Sequence, residues 1–261
     1  MKSVVDKWFK RPAQPEDESR SAPAIEPGMR LYCIGDIHGR RDLLRELHGK
    51  IGDDAVGFEG AKRLVYLGDY IDRGLQSREV IEELLEAPLA GFESVHLLGN
   101  HEQTLLDFLQ YPKQAAGWLV WGGRETLASY GVPLPPGFRT PDVMALRDEL
   151  QARMPVRHLE FFRRMSMTHV AGDYLFVHAG IRPGVPLQEQ NDSDLLWIRR
   201  DFTESTESHG HVVVHGHSIC EDVEILPNRI GIDTGAFYTN VLTCLVLEGD
   251  GRRLLQTGTD R

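Results

Sequence analysis

Acids, amides and imidazoles recur in this chain just after short apolar runs: Asp36 and His38; Asp69, Asp72 and Arg73; Asn100 and His101; His178; and His217. The densest such stretch is Leu64-Val-Tyr-Leu-Gly-Asp-Tyr-Ile-Asp-Arg-Gly74, where two carboxylates and a guanidinium follow an apolar run that ends at Gly68. Open α/β sheets place their ligands in loops of this kind, at the carboxyl ends of strands. A mixed set of nitrogen and oxygen donors suits a borderline divalent ion such as Mn, Fe, Co or Zn better than Ca or Mg. No cysteine is among the candidates, which argues against a structural zinc site. Asp36 and His38 are two residues apart, so a locally extended chain would point both side chains the same way. One carboxylate set between two ligand groups could bridge two ions about 3.5–4 Å apart, an arrangement used for phosphoester hydrolysis.

Periodicity indicates the elements that must position these residues. Residues 30–34 read as a first strand, and 42–50 as a helix with Leu43, Leu44 and Leu47 on one face. A strand at 64–67, a helix at 76–85, a strand at 94–98 and a helix at 102–108 follow. Such alternation builds a sheet with helices packed against it. Residues 111–168 have another texture, with Trp118, Trp121, Gly122-Gly123, a Pro-Pro turn and helical spacing over 143–151 and 158–165. This stretch reads as a mostly helical cap insertion over the site. Short β-rich runs at 174–177, 212–214, 229–232 and 241–247 then suggest a second sheet in the C-terminal half. Residues 1–28 are polar and proline-bearing and read as a flexible N-terminal tail ahead of a catalytic domain over 29–261. Within the tail, Trp8 and Phe9 sit among basic residues, as in a docking peptide, although aromatics of this kind more often pack on their own domain.

The chain of 261 residues is 41% hydrophobic, enough for a full core in one large α/β domain. A formal net charge of −10 argues against nucleic-acid or anionic-membrane partners, which select a basic face. Cys33, Cys220 and Cys244 are odd in number and far apart, so they read as thiols of a reducing compartment. No apolar run approaches the ~20 residues of a membrane span, and the N-terminus lacks a signal-peptide core. A cytoplasmic globular protein is the expectation. Nothing in the pattern sets an oligomeric state.

Taken together, the blocks resemble a known family. Gly35-Asp-Ile-His-Gly39, Gly68-Asp-Tyr-Ile-Asp-Arg-Gly74 and Gly99-Asn-His-Glu102 look like the first three blocks of the phosphoprotein phosphatase family of calcineurin-like metallophosphoesterases. His178-Ala-Gly180 and Gly216-His217-Ser218 resemble its later histidine blocks. Leu196-Trp-Ile-Arg199 and Ile232-Asp-Thr-Gly-Ala236 resemble segments of its small bacterial and phage serine/threonine phosphatases. One such block is weak; five in order over residues 30–247 are specific.

The resemblance implies an α/β fold: a β-sandwich of two mixed sheets flanked by helices in four α/β/β/α layers, with a small helical cap. It implies one ion held by Asp36, His38 and Asp69, and another by Asp69, Asn100, His178 and His217, with Asp69 bridging. Mn2+ is the expected ion, with Fe, Zn, Co and Ni as alternatives. A hydroxide between the ions would attack phosphorus in line. His101 would protonate the leaving oxygen, Asp72 would orient His101, and Arg73 and Arg199 would clamp the phosphoryl oxygens. The Trp-x-Arg pattern favours Arg199 over Arg200, and Glu102 reads as a structural partner of the loop. The implied activity is a metal-dependent phosphomonoesterase of the serine/threonine protein phosphatase type, acting on a phosphoprotein or phosphopeptide, with small phosphoesters as further substrates. The alternative is a symmetrical dinucleoside tetraphosphate hydrolase, a group that tends to lack the residue matched by Asp72.

Two departures stand out. Ile219 occupies a place where the wider superfamily often has histidine, and Tyr238-Thr-Asn240 stands where many relatives carry aromatic-Cys-Gly. Trp118 and Trp121 are expected to pack under the cap, with substrate contact as the alternative. His215 is expected to support the site, while His48, His96, His158, His169, His209 and His211 read as solvated or packing residues.

Overall fold

β1 (Met29–Ile34) lies at the centre of the first sheet, and its side chains show how the layers are built. Successive residues of a strand point to opposite faces. Tyr32 and Ile34 therefore join one apolar cluster, and Leu31 and Cys33 another. β2 (Ala61–Tyr66) pairs in parallel with β1, and β3 (Glu93–His96) with β2. On the other side of β1 run β9 (Thr243–Glu248) and β10 (Gly251–Gln256), both antiparallel to their neighbours. The second sheet has the order β4 (Thr168–Ala171), β5 (Tyr174–Val177), β6 (Val212–His215), β8 (Arg229–Gly231) and β7 (Glu224–Ile225), with β5, β6 and β8 parallel. This computed structural model describes residues 22–86, 89–134 and 142–258.

Three apolar layers hold the sandwich together. Leu31, Cys33, Val65 and Leu67 meet Tyr174, Phe176, Val212 and Val214 between the sheets. On the outer face of the first sheet, Leu43, Leu44, Leu47 and Ile51 of α1 (Arg41–Asp54) pack with Val80, Ile81 and Leu84 of α2 (Ser77–Glu86) and with Leu105 and Phe108 of α3 (Asn100–Gln110). On the outer face of the second, Leu175, Val177 and Val213 meet Leu195 of α7 (Asp192–Trp197) and Phe202 of α8 (Arg200–Thr203). The result is two mixed five-stranded sheets flanked by helices, the four-layer arrangement expected from the sequence.

One strand lies elsewhere than expected. The run at 241–247 becomes β9, and it joins the first sheet beside β1 instead of the second. Alternation identifies a strand but does not name its partner, and β9 is apolar on both faces: Leu245 and Leu247 face the other sheet, while Cys244 and Val246 face the helices. Between α3 and β4 the chain forms a 3-10 turn at Ala116–Val120 and the helices α4 (Gly123–Ser129), α5 (Val143–Arg153) and α6 (Val156–Arg163). Within the expected tail of residues 1–28, the segment 4–11 lies outside the described residues. Ile25, however, is buried at 3% exposure, and Ala24 and Ile25 donate backbone bonds to Asp173 and Gly249. No helix among the described residues is long and apolar enough to cross a membrane. All three cysteines are free thiols, Cys33 and Cys244 buried and Cys220 half-buried.

Candidate metal centre

The chain segments after five strands converge on one point: Asp36 and His38 after β1, Asp69, Asp72 and Arg73 after β2, Asn100 and His101 at the start of α3 after β3, His178 after β5, and His217 after β6. Gly68 makes the approach possible. Its φ is 104°, and a Cβ there would meet Gly99 Cα at 2.7 Å and His178 Nδ1 at 3.0 Å. His38, Asp69, Asp72, Arg73 and His217 all adopt positive φ, a conformation that costs a non-glycine residue on the order of 1 kcal/mol or more. Such backbone persists only where the surroundings enforce it. Here Glu102, fully buried at the start of α3, accepts N–H bonds from Asp69 (2.8 Å), Tyr70 (2.8 Å), Ile71 (3.2 Å) and Gly99 (3.1 Å). Burial and nearby Asp69 push the Glu102 pKa upward, while these N–H groups, aimed at both oxygens, favour the carboxylate. Glu102 is thus the structural partner expected from the sequence.

Asp69 is the centre of the cluster. Its Oδ2 lies 3.4 Å from His38 Nε2 and 3.9 Å from His101 Nε2, and its Oδ1 lies 3.4 Å from His178 Nε2. Donor atoms of His38, Asp69 and His101 fall within 4.8 Å of one another, and so do those of Asp69, His178 and His217. Asn100 Oδ1 sits 2.9 Å from His178 Nε2 and 2.8 Å from His217 Nδ1. The second ring nitrogens fix the tautomers: His38 Nδ1 donates to Ile71 O at 2.8 Å and His178 Nδ1 to Leu67 O at 2.9 Å. Both Nε2 atoms then present lone pairs to carboxylate or amide oxygens, an acceptor-on-acceptor arrangement that a cation resolves. Nε2 of His38 and of His217 is buried with no hydrogen-bond partner.

The electrostatics match that reading. Burial lowers His38 to about 3 and His217 to about 2, and lowers His178 as well, so the imidazoles are neutral, the form that ligates metals. Burial works against ionisation of Asp69, but the four surrounding imidazoles, which become charged in the acid range where Asp69 titrates, outweigh it and hold its pKa low. Asp36 is pushed up by burial and by Asp233 and Asp69, and Asp233 is raised to about 6 by burial. Several buried carboxylates in one place call for positive charge. Asp36 itself accepts from His217 N at 3.1 Å, so it ties the two halves together, while His101 comes within the 4.8 Å group of His38 and Asp69. Asp233 lies in the segment 232–236 quoted above, and composition and spacing gave it no role.

On the outer side, His101 Nδ1 donates to Asp72 Oδ2 at 2.6 Å. Burial alone would lower His101, but Asp69 and Asp72 raise it. Arg73 Nη2 reaches His101 Nε2 at 3.3 Å, and its guanidinium lies 4.7 Å over the Phe237 ring. Arg199 Nη1 bonds His217 O at 3.5 Å, whereas the Arg200 side chain is 88% exposed and turns to Glu204. Of the two arginines, Arg199 is the one beside His217. Trp118 is fully buried as expected; Trp121 is half exposed and meets Trp197 edge-on at 6.0 Å. His215 is buried beside His217 against Phe202.

The profile of calcineurin-like phosphoesterases matches residues 29–233, most of the chain. The chain belongs to this family. Among curated relatives, the bis(5'-nucleosyl)-tetraphosphatase PrpE (asymmetrical) of Oceanobacillus iheyensis is 24% identical over 238 residues, covering 82% of this chain and 87% of the relative. A symmetrical bis(5'-nucleosyl)-tetraphosphatase of an Acidovorax species is 34% identical over 156 residues, 59% of this chain and 45% of that one. Among the solved structures that share the fold are the following two. One, a candidate diadenosine tetraphosphatase, superposes with a TM-score of 0.59 at 20% identity over 90% of this chain and 98% of the other. The other, a cold-active protein-tyrosine phosphatase of a psychrophilic Shewanella, gives 0.56 at 18% identity over 97% and 89%. In this calcineurin-like phosphoesterase, then, the residues clustered around Asp69 all lie within the matched stretch.

Proposed function

We propose that this family member is a two-metal hydrolase of bis(5'-nucleosyl) tetraphosphates. The observation that carries the chemistry is Asp69, one carboxylate shared by two groups of buried donors. His38 and Asp69, with Asp36 alongside, would hold one divalent ion; Asp69, Asn100, His178 and His217 would hold the other. Mn2+ suits this mixed donor set. Ions held there would supply Lewis acidity and a nucleophilic water at neutral pH.

The chain's own side chains do the rest. Arg73 and Arg199 donate to phosphoryl oxygens from two directions. The guanidinium now on His101 Nε2 is drawn away by an anionic phosphoryl group, which frees Nε2 to carry a proton to the leaving oxygen. Asp72 holds the imidazole at Nδ1 throughout. The names of the relatives support a dinucleotide substrate. The second reading is a serine/threonine protein phosphatase, favoured by the 2.6 Å bond between Asp72 and His101, because an alkoxide needs a proton more than a nucleotide phosphate does. Free thiols suit a cytoplasmic setting for either. Mn-loaded protein assayed on diadenosine tetraphosphate beside a phosphoserine peptide decides between them. A kcat/KM at least ~10-fold higher on the dinucleotide is expected, and turnover of the peptide alone would reverse the order.

A further inference from the structure

Asp72 makes more hydrogen bonds to side chains than its link to His101 requires, and all but one of these come from the stretch that follows α3. Trp118 Nε1 donates to Oδ2 at 2.7 Å, and Thr126 Oγ1 donates to Oδ1 at 2.5 Å. The Asp72 N–H is met by Thr126 Oγ1 at 2.9 Å and Ser77 Oγ at 3.0 Å. Every one of these groups is buried. Trp118 is 46 residues from Asp72 and Thr126 is 54, so the contact is tertiary.

The backbone is shaped for this contact. Gly122 has φ 117°, and a Cβ there would meet Arg73 N at 2.5 Å and Asp72 Cβ at 3.0 Å. Its carbonyl accepts from Arg73 N at 3.3 Å. A Cβ on Gly123 would strike the Trp118 indole. The Trp118 and Gly122-Gly123 pattern seats the indole and α4 directly on the Asp72-Arg73 turn.

An imidazole that donates a proton in the transition state must hold its tautomer and angle, and both depend on where its carboxylate points. With His101 alone, Asp72 could rotate about χ2. With an indole N–H on one oxygen and a hydroxyl on the other, it has a single orientation. We propose that Trp118 and Thr126 are positioning residues for proton transfer, fixing the Asp72 carboxylate so that His101 Nε2 faces the leaving oxygen. In that step the Nε2 proton passes to the leaving oxygen as the bond to phosphorus breaks, and His101 is left neutral. The inference rests on His101 as the proton donor.

The test compares wild type with Trp118→Phe, Thr126→Val, Thr126→Ser and His101→Asn on aryl and alkyl phosphates of rising leaving-group pKa, at matched metal content. Trp118→Phe and Thr126→Val should each lower kcat ~10-fold on alkyl phosphates with KM within ~2-fold, lower it less on aryl phosphates, and Thr126→Ser should recover most of the loss. In 15N-tryptophan-labelled, metal-free protein, the Trp118 indole proton should resonate downfield and move upfield in Asp72→Asn. A wild-type leaving-group dependence in both Trp118→Phe and Thr126→Val, beside a steeper one in His101→Asn, would overturn the proposal and leave His101 in place. No steepening in His101→Asn would instead remove the reading on which it rests. An indole proton indifferent to Asp72→Asn would overturn it without reference to turnover.

Discussion

The first sheet and its helices bring Asp36, His38, Asp69, Asp72, Arg73, Asn100 and His101 to the site; the second sheet brings His178 and His217, and the loop after α7 brings Arg199. The first group carries the one carboxylate that the two donor clusters share and is locked by buried hydrogen bonds, four to Glu102 and several to Asp72. The second group is anchored mainly on the first: His178 donates to Leu67 O, and the His217 backbone donates to Asp36. The difference implies a division of labour. On the proposed two-metal reading, one half would set geometry and handle protons, and the other would complete the coordination with neutral donors.

The largest effect should come from the residue that both clusters share. Asp69→Asn should cut turnover at least ~10³-fold, and added Mn2+ should not restore it, because the change would touch both proposed ion positions. His178→Ala, on the other half, should raise the Mn2+ concentration needed for half-maximal activity ~10–100-fold and be partly recovered at high Mn2+. If Asp69→Asn recovers as easily as His178→Ala, the two halves are equivalent and the contrast fails.

The scaffolding role of the first half is a stability claim. Glu102→Gln replaces one acceptor oxygen with an amide that faces N–H groups, and the unfolding free energy from denaturant titration should fall by roughly 2–3 kcal/mol. His178→Ala should cost less in stability than this. A Glu102→Gln protein as stable as wild type would show that the loop holds its shape without the carboxylate.

Acid provides the finest probe. Burial lowers His48 and His96, both in the first half, to about 4. Below the ordinary imidazole value of about 6.5 the unfolded chain binds protons that the native state refuses. Stability is therefore full above about 6.5 and falls as the pH drops toward 4. The loss should be on the order of 1–2 kcal/mol per histidine by pH 5. His48→Gln keeps a partner for the Tyr66 hydroxyl, now 2.9 Å from His48 Nε2, and should remove that residue's share of the slope between pH 7 and 5. An unchanged slope would place the acid sensitivity elsewhere.

Much of this was legible in the residues. Strand-end acids and histidines announced the site because each loop carries its chemistry within a few positions of an apolar run. The layered sandwich followed from alternation and from the family resemblance. What stayed hidden was pairing over long range. Nothing in the period of 241–247 says that β9 crosses back to lie beside β1. Trp118 looked like a packing residue because burial and a specific bond to a carboxylate 46 positions away leave the same trace in sequence. Ile25 was hidden by its polar, proline-rich surroundings, although it packs with Leu31 and Tyr174 in the layer between the sheets.

The most direct check on the shared carboxylate is elemental analysis after equilibration with Mn2+ and gel filtration. Two ions per chain are expected for the wild-type protein and one or fewer for Asp69→Asn. A wild-type protein that retains at most one ion, or an Asp69→Asn protein that retains two, would contradict the placement of Asp69 between two metal positions.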